Sequence, residues 1–168
     1  MRLQDLFRDF ALRPASAARK IPELSYQQLN SHLAQHPNSI AWLLWHAGRE
    51  VDMQLSELSG KEQIWTAEGF RERFGLGPLG DSMGYGHSRF EAARIIVDRQ
   101  DLLVDYLEAA LNACTLYADD LEEEAWEEVV DHSWDFPVTR STRLVSLVDD
   151  AAQHVGQAAY IAGALTAQ

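Results

Sequence analysis

Cysteine is nearly missing from this sequence: Cys114 stands alone among 168 residues, so no internal disulfide can form. That excludes a disulfide-stapled scaffold and fits a reducing compartment. Positive charge is also scarce. Fourteen Lys and Arg against 26 Asp and Glu leave a net charge of −12, which repels phosphate backbones and anionic lipid surfaces. The basic residues form no cluster; Arg71 and Arg73 are split by Glu72. Nucleic-acid and membrane partners are therefore not expected. Long apolar runs are missing too: the longest, residues 40–45, is six residues, far short of the roughly 20 a membrane-spanning helix needs. The N-terminus meets Asp5 where a signal peptide would require an apolar stretch. A cytoplasmic location is the reading.

What is present suits a folded protein. Apolar residues make up 46% and charged residues 24% of the chain, the balance of an ordinary globular domain. At this length one domain over residues 1–168 is expected, with about two-thirds of the unfolded surface buried.

Helical periodicity dominates, and strand-like alternation is scarce. From 141 to 165, Leu144, Leu147, Val148, Ala151, Val155, Ala158, Ile161, Ala162 and Leu165 recur in steps of three and four, with Pro137 just before them. A second helix is expected over 39–58, capped by Asn38 or Ser39 and stopped by Gly60. Its first turns, residues 40–45, carry no polar face and should be enclosed nearly all round. A third helix is expected to begin at Asp98, with Asp101 three residues on, and to run to about Tyr117. An N-terminal helix carries Leu3, Leu6, Phe7 and Phe10, with a kink at Pro14 and an end at Pro22. The expected fold class is all-α, a four-helix bundle of the up-and-down type.

A long insertion separates the second and third helices. Residues 62–95 hold Gly75, Gly77, Pro78, Gly80, Gly84 and Gly86, and read as loop with helical turns near Phe70 and Phe90. Such an insertion calls for a functional or covering role. The acidic stretch 119–128 reads as a solvated turn or short helix.

Asp150 and His154 are four residues apart on the most periodic helix, so both project from one face. With Leu147 at zero on a helical wheel, His154 falls at roughly 340° and Asp150 at roughly 300°, one inward and one at the rim. A carboxylate at the edge of a core needs a compensating partner; a metal is one, and the simpler reading of such a pair is that Asp150 meets a basic side chain or solvent while His154 only packs. His46 sits in the most apolar part of the second helix, where it also requires a partner. Asp149 points elsewhere, and His32, His36 and His132 lack supporting residues. His87 in the insertion could line the mouth of a site, although an exposed loop histidine is the simpler reading. Gln157, three residues beyond His154, could orient a ligand or water; Tyr160 and Arg49 are weaker candidates. Cys114 reads as a buried, protonated thiol, and the five tryptophans read as core, lid or interface residues.

The segment from Asn38 to His46, the pair Asp150 and His154, and the tail from His154 to Tyr160 resemble the DinB/YfiT-like superfamily, in particular its actinobacterial branch related to the mycothiol-dependent maleylpyruvate isomerase metal-binding domain. The resemblance implies a four-helix bundle holding one divalent metal, usually zinc or nickel, on His46, Asp150 and His154. An Asp at 150 replaces the commoner His or Glu of that position, and its shorter arm bears on metal choice. Two nitrogens and one oxygen would leave a four-coordinate zinc one open position, as in catalytic sites. The resemblance further implies a low-molecular-weight thiol such as mycothiol as cosubstrate and a small electrophile as substrate, in an S-transferase or isomerase. A non-catalytic metal-binding or interaction domain, homodimeric in one arrangement, is the alternative; a metal-assisted hydrolase is a third, disfavoured by the lack of an obvious base beside the triad.

Overall fold

The computed structural model describes residues 2–167. The protein is mostly helical. The N-terminal segment is two helices, α1 (Leu3–Ala11) and α2 (Arg13–Ala18). They divide at Leu12 because Pro14, in the first turn of α2, has no amide hydrogen to continue the ladder. Next come the single turn α3 (Tyr26–Leu29) and the long helix α4 (Ile40–Ser59). Ser39 Oγ caps α4 by accepting the Trp42 amide at 3.1 Å, and Gly60, in the left-handed region at φ 68°, ends it. Every residue from Ile40 to Arg49 is buried, which is the enclosure that the missing polar face called for.

Residues 62–95 carry four short helices, α5 (Ile64–Ala67), α6 (Phe70–Phe74), α7 (Gly77–Gly80) and α8 (Arg89–Ala92). The turns near Phe70 and Phe90 lie where the sequence suggested; α5 and α7 are further single turns that the sequence reading did not place. Helix α9 (Gln100–Asp119) begins two residues later than expected. Asp98 does not cap it: Arg99 is extended ahead of the helix, and Asp101 pairs with the Arg99 guanidinium at 2.6 Å. The acidic stretch forms a 3₁₀ turn at Glu123–Glu127 that buries Trp126 edge-on against Phe7, ring centroids 5.6 Å apart. A small antiparallel ladder follows, β1 (Val129–Asp131) with β2 (Val138–Thr139), irregular between Val129 and Asp131. It carries too few residues to show alternation in sequence. The chain ends on α10 (Arg140–Thr166), whose N-terminus Thr139 caps.

Helix α4 packs on both α9 and α10, α1 packs on α9, and α2 touches α10 and α9. Their apolar faces form one cluster of buried residues. The insertion is fastened to this core by aromatic rings: Trp65 lies 5.3 Å and Phe70 4.9 Å from Tyr106 of α9. Burying rings of this size is worth roughly 4–6 kcal/mol each before entropy, the scale needed to offset ordering several loop residues at about 1–2 kcal/mol apiece. Among the described residues, no helix is long and apolar enough to cross a membrane.

Candidate metal centre

Because α4 and α10 lie side by side, the face of α10 carrying Asp150 and His154 meets the face of α4 carrying His46. The structure brings these three expected residues together and adds a fourth, Glu50, one turn beyond His46. One ligating atom from each of the four lies within 4.8 Å of every other. His46 Nε2 is 3.2 Å from Glu50 Oε2, and His154 Nε2 is 3.3 Å from Asp150 Oδ2. Donors around a tetrahedral ion at zinc bond lengths stand about 3.4 Å apart, so the spacing suits one ion.

The two imidazoles are oriented from outside. His46 Nδ1 donates to the Met83 carbonyl of the insertion, and His154 Nδ1 donates to Gln157 Oε1 at 3.2 Å. A carbonyl can only accept, so the proton of neutral His46 lies on Nδ1 and its Nε2 presents a bare lone pair to the cluster. This is the outer-shell arrangement that metal-binding histidines use. Trp42 stacks on His46 with ring centroids 4.5 Å apart and fixes the ring plane.

Without a cation the cluster is electrostatically incomplete. Two imidazole lone pairs face two carboxylates, and the buried Oδ2 of Asp150 has no hydrogen-bond partner, its neighbour His154 Nε2 being at ion-pair distance but misaligned. Burial acts to raise the Asp150 pKa, yet His154 and Glu50 together hold it below the ordinary carboxylate value. Burial likewise pulls His154 down, while Asp150, joined by Gln157 and Glu50, leaves it raised. The unpartnered Asp150 oxygen and the convergence of four potential ligand atoms make the residues present fit a divalent ion.

One turn along α4, two polar residues serve a different purpose. Arg49 and Asp52 are almost fully buried, at 1% and 2% exposure. Arg49 donates to the Ser82 and Asp81 carbonyls, to Gln63 Oε1 and to the Tyr106 hydroxyl, at 2.8–3.1 Å, and its guanidinium lies over the Trp65 ring. Asp52 accepts from the Ile64 and Trp65 amides and from the Tyr106 hydroxyl, each at 2.8 Å. Arg49, a weak site candidate from sequence, instead clamps the insertion.

His87 is not an exposed loop residue. It stacks on Trp45 at 5.8 Å, accepts from Trp42 Nε1 through Nδ1 at 3.3 Å, and meets Ser82 Oγ through Nε2 at 3.0 Å. Burial lowers its pKa, with Glu91 opposing and His46 adding to the effect. Gly84, at φ 89°, lets this segment approach so closely that an added Cβ would lie 2.7 Å from Trp45. Cys114 is buried, with its thiol pushed up to about 12 by desolvation. Asp149 bonds Gln153 on the outer face of α10, away from the cluster.

A cleft of about 840 Å³ opens beside the centre, with His154 and Gln157 in its wall and Leu33, Leu43 and Ile161 among its apolar lining. Tyr160 stands at this cleft, 78% exposed. Glu50 escaped the sequence reading although it stands four residues after His46, the very spacing that singled out Asp150 and His154.

A helical protein with a histidine–carboxylate pair on each of two facing helices, beside an open cleft, is the class these observations define. The family model described as Mycothiol-S-transferase matches residues 10–167, and the chain belongs to that family, within the DinB/YfiT-like superfamily. A crystal structure of a conserved protein from Enterococcus faecalis is similar over 100% of this chain and 99% of that chain, at 32% identity and a TM-score of 0.90. No curated protein matches the chain.

Proposed function

We propose that the protein is a divalent-metal-dependent S-transferase that joins a low-molecular-weight thiol of the mycothiol kind to a small electrophile. The observation carrying this reading is the incomplete cluster, two bare imidazole nitrogens and an unpartnered buried carboxylate oxygen, opening on a cleft. In this reading α1 with α2, α4, α9 and α10 are the four helices of an up-and-down bundle, and 62–95 is the insertion between the second and third.

His46, Asp150 and His154 would hold the ion, zinc or nickel by the family resemblance since the ligand set alone does not choose, and Glu50 lies within reach as a fourth group. The bound ion supplies Lewis acidity, which lowers the pKa of a thiol presented to it. Glu50, with its side chain 21% exposed, accepts the thiol proton at a carboxylate oxygen. The sulfur lone pair then forms the C–S bond as the leaving group departs with its own electron pair. Gln157 acts as a positioning residue through His154 Nδ1.

The test follows bimane fluorescence with monochlorobimane as electrophile and mycothiol as thiol; chloride leaves as the thioether forms. Turnover that needs both thiol and metal, and falls by about two to four orders of magnitude in Glu50→Gln with metal retained, supports the transferase. Glu50 also revives the hydrolase reading, since it is the base the triad lacked. Metal-dependent ester hydrolysis indifferent to thiol would select that reading, and tight metal binding with neither activity would leave a metal-binding module.

A further inference from the structure

Among the described residues, the arginines outside a carboxylate ion pair are Arg73, Arg89 and Arg94. Arg73 and Arg94 lie over the rings of Phe70 and Phe90, at 4.5 and 5.8 Å. Arg89 has neither arrangement. It lines the same 840 Å³ cleft as His154 and Gln157, and its one side-chain hydrogen bond among the described residues runs from Nη1 to the Gln35 carbonyl at 3.0 Å. The Nε and Nη2 edge, with which a guanidinium grips a carboxylate in two parallel bonds, has no protein partner.

Arg89 is exposed, as are its neighbours Ala34, Gln35 and His36, and its backbone is placed by a short helix. Arg89 is the first residue of α8, whose start is fixed by reciprocal bonds between Ser88 and Glu91. Gln35 and its neighbour Ala34 are the non-glycine residues at positive φ, 62° and 49°, a backbone conformation that costs about 1–3 kcal/mol per residue and concentrates at binding sites. His36, also in the lining, accepts the Asn38 amide at Nδ1, so its neutral form carries a donor hydrogen on Nε2. In a protein of net charge −12, a guanidinium with no carboxylate partner that shares a cleft with Leu33, Leu43 and Ile161 offers an anion a place to pair.

We propose that the cleft takes an organic acid with an apolar body, and that Arg89 is the specificity residue that binds its carboxylate. This rests on the reading that the cleft is the substrate side of the metal centre. The apolar body lies along Leu33, Leu43 and Ile161, and the far end is presented toward His154.

Calorimetric titration with 4-phenylbutyrate and its neutral isostere 4-phenylbutyramide tests this, on protein as purified and after metal removal with EDTA, metal content being measured on both samples. The acid is expected to bind about tenfold tighter than the amide in both samples. Arg89→Gln should bring the acid down to the amide's affinity and leave the amide unchanged, and Arg89→Lys should restore part of the preference. Equal binding of acid and amide, or no binding of either, overturns the proposal. So does an acid preference that survives Arg89→Gln and disappears with EDTA, since the carboxylate then sits on the metal. A failed metal centre shows separately, as metal-free protein.

Discussion

Two polar clusters share the buried face of α4 within two turns of each other, and they are built on opposite principles. Arg49, Asp52 and Tyr106 close on themselves: every charge meets an opposite charge or a full set of donors, from α4, α9 and the insertion. His46, Glu50, Asp150 and His154 do not close. Their Nδ1 atoms are satisfied from behind, while their Nε2 atoms and carboxylate oxygens converge on one point. A buried polar network that completes itself is architecture; a half-buried cluster whose donors converge without completing one another is what a metal site requires.

Substitutions can break this contrast. The largest stability effect is expected at Asp52→Ala, which strips Arg49 of its counter-charge and Tyr106 of its acceptor inside the core; denaturant unfolding should show a loss of about 3–5 kcal/mol, with or without metal. The metal cluster should behave in the reverse manner. Adding zinc at 100 times its dissociation constant should stabilise the wild type by about 2.7 kcal/mol, and His154→Ala should abolish that gain while costing the metal-free protein little. If His154→Ala destabilised metal-free protein as much as Asp52→Ala does, the two clusters would be alike.

A smaller effect is expected at Gly84→Ala. Its positive φ and the 2.7 Å approach to Trp45 should cost about 1–3 kcal/mol and, by lifting the neighbouring Met83 carbonyl off His46, should also weaken metal binding in titrations. The smallest belongs to Asp81, at the surface edge of the clamp. Hydrogen bonds from Arg71 and then Trp65 lower its pKa to about 2 from an ordinary 3.8. Its contribution is therefore complete above about pH 4 and lost as pH falls toward 2. The stability gap between wild type and Asp81→Asn should be present at pH 6 and shrink through that window, and it should be modest because both Asp81 and Arg71 are well exposed.

The fold was legible where a helix is long and its ends carry strong chemistry. Ser39 and Gly60 marked α4 to within a residue, and the apolar stripe marked α10. The start of α9 was misread because Asp98 and Asp101 imitate a capping pair, while Arg99 draws Asp101 to itself. The ladder at 129–139 was invisible because a pairing this short depends on neighbours and has no periodicity of its own.

Within the candidate site, the pair on α10 was legible from i, i+4 spacing, and His46 chiefly from family resemblance. The same spacing rule applied to α4 would have found Glu50. Arg49 was undervalued for a related reason: a helix enclosed all round makes any charged residue on it a buried charge, so the signal that called for a partner at His46 applied equally to Arg49. His87 was read as exposed because loop sequence carries no record of which aromatic rings will fold beneath it.

The central claim is that the cluster on α4 and α10 is completed by one divalent ion. Elemental analysis of protein equilibrated with zinc or nickel and freed of excess metal tests it most directly, with His46→Ala and His154→Ala alongside. One ion per chain in the wild type and none in either variant is the predicted result; wild-type protein that retains no metal, or variants that retain as much as the wild type, would contradict it.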